Sequence, residues 1–546
     1  MPRRRTTAAL FALCALGGGG TAGAQAVTGL GDDATTTPSG SFRIKVQSDW
    51  SYYDQLFVSP APGAAGLLRP LGARFTLDSL GAAQLPILNP VQDSLRAITG
   101  MAGLKVSLGQ TFAQVTNRVA SVPISIEAGI ASWLSVTATV PIVHTRTSVF
   151  FRANQTTSAA NLAANPAGTD PTARATDSAL TQQMITSASA VQSYCSGSGA
   201  RDPKCSGYSS LVTSATTLGN SLSNLYTYGL LVPARGSTIQ SAVDARIATI
   251  RTALNAFASN SASGVPYVAA TGVVGAPVPL ATPTLQALLT NAPYGVGLDP
   301  LQTVERTHIG DAELTAKVKL FDTFAMRGQS RFEPSGVNAR LSIAGGYRFP
   351  TGALSSANAL TDIGSGTHVG AVLLRGYADL SLGRHFWISG IGRFAKAASD
   401  SLSIRFAPGV AFPSVSSIVG VSRQTGNLAE FDVLPRWVFN DFVSIGGEYL
   451  YRHKPADQFT SGGVNQFTSG GVAVQGLSAG TEFTEQRVGA GIVFSNAHAV
   501  SLGKSSIPFD VSYLHTETIA GTGGAVPKLI AEQILIRLYF RLRRQP

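Results

Sequence analysis

Cysteine is almost missing from this chain of 546 residues, which holds Cys14, Cys195 and Cys205 alone. Charge is sparse as well, at 13% of residues. Beyond the N-terminal leader no stretch runs 18 apolar residues without a charge, so a helical membrane span is excluded. Two spacings that carry much enzymology, H-E-x-x-H and G-x-x-x-x-G-K-[ST], do not occur. The seven histidines, at 144, 308, 368, 385, 453, 498 and 515, are dispersed, and two cysteines without clustered histidines make no metal site. The expectation is a protein that is not an enzyme and holds no cofactor or metal. The basic surplus, a net charge of +11, is spread singly through apolar stretches. That distribution argues against nucleic acid as a partner, which selects a contiguous basic face.

What the chain has is glycine, 58 residues of it, and a leader. Arg3, Arg4 and Arg5 precede the apolar run Ala8 to Leu16, and Ala24-Gln25-Ala26 offers a small-x-small cleavage site. Residues 1–26 read as a signal peptide, with maturation before Val27. Cys195 and Cys205 then remain, flanking a polar loop, and in an oxidising compartment they are expected to bond.

An exported membrane protein without helical spans must close a sheet on itself, because lipid leaves open backbone groups unsatisfied. The expected fold is all-β, a transmembrane antiparallel barrel of about twelve strands with a large, partly helical extracellular insert. Its strands should alternate lipid-facing apolar residues with polar residues facing the lumen. In 311–320, Ala312, Leu314, Ala316, Val318 and Leu320 alternate with Asp311, Glu313, Thr315, Lys317 and Lys319. The last segment sets Ile534, Ile536, Leu538 and Phe540 against Arg537, Tyr539 and Arg541. Strands are placed near 41–53, 119–130, 133–150, 308–322, 337–349, 367–383, 385–397, 426–439, 442–454, 483–495, 507–518 and 529–542. The last is expected to close on the first, near Phe42 to Asp49. Tyr539, on the inner side, is expected to meet water and to tolerate replacement. The lumen-lining charges are then Asp311, Glu313, Lys317 and Lys319, followed by Arg340, Arg348, Arg375, Asp379 and Arg393. Glu430, Asp432, Arg436, Glu448, Arg487, Arg537 and Arg541 complete the set.

Connections alternate between short turns and long loops, as periplasmic turns and extracellular loops do. Trp133, Phe321, Phe386, Trp387, Phe439, Phe442 and Phe494 flank the short turns and are expected to form an interfacial girdle. The organisation is therefore 1–26 signal peptide, 27–150 first strands with an extended loop, 151–307 insert and 308–546 remaining strands. Within the insert Ile239, Val243, Ile247, Ile250, Leu254 and Phe257 recur at helical spacing, with Ser237 as the cap. A second helix is placed at 177–194. In the loop 455–482 Gln458 to Val464 is duplicated as Gln466 to Val472.

Three motifs resemble a known family. Gly310-Asp311-Ala312-Glu313-Leu314-Thr315-Ala316-Lys317 is similar to the "GD-x-x-L-x-x-K" strand of the outer-membrane barrels named for the phenol-degradation meta pathway. Pro350-Thr351-Gly352 with Gly364-Ser365-Gly366 is similar to their "PTG…G-x-G" loop, and Leu134 to Pro141 to their "L-x-V…P" strand. The resemblance spans 119–150 and 308–542. It implies an uptake barrel for hydrophobic or aromatic small molecules, with no catalytic residues, and leaves the 151–307 insert unexplained. The partners expected are outer-membrane lipid, a small solute and the barrel-assembly machinery. The alternative is a surface-binding barrel whose insert engages an external partner.

Overall fold

The computed structural model describes residues 30–541, apart from 62–63, 156–158, 292–294, 329, 331, 462–473 and 506. The leader and the second copy of the duplicated loop sequence lie outside the described residues. Twelve strands form the wall among them: β1 (Ser41–Tyr53), β2 (Thr111–Ala131), β3 (Leu134–Ala153), β4 (Ala312–Asp322), β5 (Val337–Phe349), β6 (Ala371–Leu382), β7 (Phe386–Ala397), β8 (Leu428–Val438), β9 (Val443–Lys454), β10 (Phe483–Ser495), β11 (Phe509–Gly523) and β12 (Ile530–Arg541). Each pairs antiparallel with its neighbour in the chain, and β12 closes on β1 with Phe42 opposite Phe540 and Lys45 opposite Arg537. Closure leaves the ring without a backbone edge toward lipid, the condition a spanning sheet must meet.

The period of two sorts the side chains. Along β5, Asn338, Arg340, Ser342 and Ala344 are buried while Val337, Leu341 and Ile343 are exposed. The exposed set is apolar because its solvent is hydrocarbon. Aromatic rings edge this band at the short-turn end, where Trp133, Phe321, Trp437, Phe439, Phe442 and Phe494 are exposed. Phe442 stacks on Phe494 at 6.1 Å and Phe42 on Phe540 at 4.9 Å. Tyr347, Phe349 and Tyr451 edge it toward the long loops. From Phe442 to Tyr451 the strand climbs roughly 30 Å at ~3.3 Å per residue, about 23 Å after a typical tilt, which matches the apolar band of such barrels. Trp387 is a correction to the expected girdle. It follows Phe386 directly, so the period turns it inward, where it is buried under the Arg436 guanidinium, 5.1 Å from the ring centroid.

A helical cap stands on the long-loop end. It holds α1 (Asn89–Thr99), α2 (Pro171–Ser196), α3 (Tyr208–Leu222), α4 (Thr238–Ala258) and α5 (Thr282–Thr290). Ser237 caps α4 by accepting from the Gln240 N–H at 3.1 Å, and Asp170 caps α2. α2 and α3 share a seam, and a disulfide joins Cys195 to Cys205 with Cα atoms 5.4 Å apart. The cap is not the insert alone. Leu80, Leu88, Leu95 and Leu108 from the first long loop lie in one apolar core with Leu180, Met184, Val243 and Leu254 of the insert and Phe412 of a later loop. The ends of β2 and β3 rise into that core through Ala113 and Phe151. Arg405 laces three loops, donating to the carbonyls of Val296, Gly297, Ala357 and Pro413 at 2.8–3.2 Å and to Asn358 Oδ1 at 2.6 Å.

Candidate functional site

Residues 30–38, between the expected cleavage site and β1, run into the barrel from its short-turn end. A turn sends them there: the Pro38 carbonyl accepts from the Ser41 N–H at 3.0 Å, and Gly40 takes φ 70°. Only glycine adopts that angle without strain in the third position of such a turn. The segment forms no helix or strand, so its backbone has no ladder of its own and needs partners elsewhere. Side chains of the wall supply several of them. The Ala34 N–H donates to Asp379 at 3.0 Å, the Ala34 carbonyl accepts from Ser342 at 2.5 Å, and Thr37 Oγ1 donates to Glu127 at 2.9 Å. Within the segment, the Asp33 carboxylate accepts from the Thr35 N–H at 2.8 Å.

Ion pairs and apolar contacts complete the hold. Lys317 reaches Asp32 at 3.1 Å and the Asp33 carbonyl at 2.9 Å, and Arg537 donates to the Gly31 carbonyl. Leu30 and Ala34 share a buried cluster with Ala344, Tyr377, Ile391, Leu434, Val493 and Leu514, which come from six strands. A Cβ on Gly446 or Gly491 would stand 2.8 or 2.6 Å from the Leu30 side chain, so two glycines cut the notch that receives it. The segment thus crosses the lumen from wall to wall.

Around it the expected lumen charges pair, most of them across strands. Arg348 meets Glu313 at 2.9 Å, and Arg375 bonds to the other oxygen of the same carboxylate. Arg393 lies 3.4 Å from Asp432, and Glu448 stands opposite Gly489 of β10. Arg487 bonds to Glu485 at 2.6 Å, and Arg452 bridges Glu485 and Glu430 at 2.9 and 2.7 Å. Lys319 and Arg340 face Asp322, and Arg340 lies 3.8 Å from Asp379. Arg537 bonds to Asp510 at 2.9 Å. Arg541 stands exposed at the end of β12, and Asp311 is in no strand. Asp311 instead ties a loop: it accepts from the Gly352 N–H at 2.9 Å and from the Thr367 N–H and hydroxyl at 2.8 Å. The motifs at 310–317 and 350–366 therefore meet at one carboxylate. A Cβ on Gly366 would come within 2.7 Å of it, which accounts for a glycine there.

No family model matches the chain. No curated protein matches it either. Solved structures of similar outline exist. An outer membrane channel from Pseudomonas putida F1 aligns over 93% of this chain and 99% of its own, at 9% identity and a TM-score of 0.40. The Ralstonia pickettii toluene transporter aligns over 93% and 90%, at 9% identity and 0.26. A Pseudomonas aeruginosa FadL homologue aligns over 94% and 96%, at 8% identity and 0.26. The superpositions are loose, and the barrel stands on its own strand ladder.

Sequence reasoning passed over residues 30–38, because Gly31-Asp32-Asp33-Ala34-Thr35-Thr36-Thr37-Pro38 has neither period. The available signal was a pair of aspartates just ahead of a strand whose inner face carries Arg43 and Lys45. The G-x-S-x-G spacing, expected to be absent, does occur, at Gly476-Leu477-Ser478-Ala479-Gly480. Ser478 ends a 3-10 turn, not a strand-to-helix elbow, and no histidine bonds to it among the described residues.

Proposed function

We propose that the protein is an outer-membrane channel for passive uptake of small hydrophobic or aromatic solutes. The observation that carries this is the occupant of the lumen. Residues 30–38 are joined to the wall by side-chain contacts and not by a strand ladder, so they can leave without opening the barrel. Leaving would uncover the apolar patch under Leu30 in an otherwise charged interior, a place for the apolar body of a solute. The motif resemblance supports the same reading. In this reading the short turns face the periplasm, the cap faces outward, and the partners are lipid, the solute and the barrel-assembly machinery.

Single-channel recording and liposome swelling on the refolded chain, with and without residues 27–38, test the proposal. Deletion should raise conductance and solute flux. A folded barrel that stays silent in both forms would sink it. Excising 151–307 tests the surface-binding alternative, which predicts unchanged flux and a lost external interaction.

A further inference from the structure

Leu30 and Asp32 are two residues apart and enter different surroundings. Leu30 lies in the apolar notch formed by Leu434, Leu514 and the two glycines. Asp32 lies at a cavity of about 50 Å³ bounded by Arg43, Lys45, Lys317, Arg375 and Arg537, with Glu127 as the other carboxylate. Five cations against two carboxylates leave the cavity electropositive. Arg375 and Arg537 have carboxylate partners on the wall, Glu313 and Asp510. Arg43 bonds to Glu127 through one nitrogen, while its other terminal nitrogen, Nη1, is buried without a hydrogen-bond partner. Lys45 makes no hydrogen bond or ion pair among the described residues. Ser125, Thr137 and Thr139 add hydroxyls on the same wall. An unpartnered buried guanidinium N–H is costly, and an anion is what satisfies it.

We propose that the lumen binds an amphiphilic carboxylate, for which Leu30-Gly31-Asp32 is a tethered stand-in. The carboxylate takes the place of Asp32 among Lys317, Lys45 and Arg43, and the apolar body takes the notch of Leu30. Solute and segment then compete for one location, so binding displaces the obstruction. This rests on the channel reading above and adds the substrate's chemistry to it.

Equilibrium dialysis of the refolded full chain against benzoate, benzyl alcohol and acetate tests it without needing flux. Benzoate should bind roughly tenfold or more tighter than either of the others, the worth of one charge-assisted contact or one buried apolar group. Asp32→Asn should tighten benzoate by removing the competitor, and Lys45→Gln should weaken it. Heat-modifiable migration establishes that both variants are folded. Lys45 has no hydrogen bond or ion pair to lose among the described residues, so its variant is a safe second arm. Equal binding of benzoate and benzyl alcohol, or an Asp32→Asn variant that binds benzoate no better, overturns the proposal. A barrel that binds benzoate and never conducts would defeat the channel reading alone, and one that conducts without preferring benzoate would defeat this inference alone.

Discussion

Replacing Asp510 with Ala isolates one buried charge. Arg537 is 1% exposed and Asp510 is fully buried, with 2.9 Å between them. The same carboxylate accepts from the Tyr539 hydroxyl at 2.5 Å. Removing one partner of a buried pair costs about 3–5 kcal/mol, because the other charge stays desolvated. Arg537 keeps the Gly31 carbonyl, which moves the expectation to the lower half of that range. The lost tyrosine bond, about 1 kcal/mol, is part of the same network and is not added in full. The urea midpoint in vesicles, followed by heat-modifiable migration, reads the loss. The double variant Asp510→Leu with Arg537→Met removes both charges and should recover most of it. An Asp510→Ala variant within about 1 kcal/mol of the parent, or a double variant no better than the single, would refute the reasoning.

Leu538→Arg puts a charge on the lipid face of β12 and should cost roughly 2–4 kcal/mol in the same assay. Tyr539→Phe should cost about 1 kcal/mol for the bond to Asp510, where exposure to water had suggested almost nothing. Cys195 and Cys205 should be bonded in purified membranes by mass spectrometry, and a Cys195→Ser, Cys205→Ser chain should lose about 2–3 kcal/mol at most, in the cap and not the barrel. Burial raises the Asp177 carboxyl to about 6 and moves Asp244 in the same direction. The folded cap therefore holds its protons more tightly than the unfolded one, and its stability falls as pH rises from about 4 to about 6. Limited proteolysis should cut the cap faster at pH 7.5 than at pH 5, and Asp177→Asn should flatten that difference. Identical rates for the parent at both values would count against it.

The wall was legible because each strand has two solvents. Lipid on one side and packed charge on the other write the period of two into β4, β5 and β12, and that period sets which residues share a face. It says nothing of what occupies the space the inner face encloses. Tyr539 was placed on the correct side and given the wrong surroundings for that reason. Trp387 was misplaced by proximity to a turn, although two adjacent residues on one strand cannot both face lipid. In the cap, α4 announced itself through spacing and Ser237, whereas the core it shares with residues 80–108 depends on contacts across the chain. The segment 30–38 is the extreme case, since the Ala34 bond to Asp379 spans 345 residues.

Because the turn at Pro38 to Ser41 keeps the obstructing segment covalently attached a few residues from its seat, the segment's return is a unimolecular event. A short tether of this kind acts as a local concentration on the order of millimolar. Under the proposed channel reading, any diffusing occupant of that seat must outcompete a rival that dilution cannot remove, and the segment returns as soon as the occupant has gone.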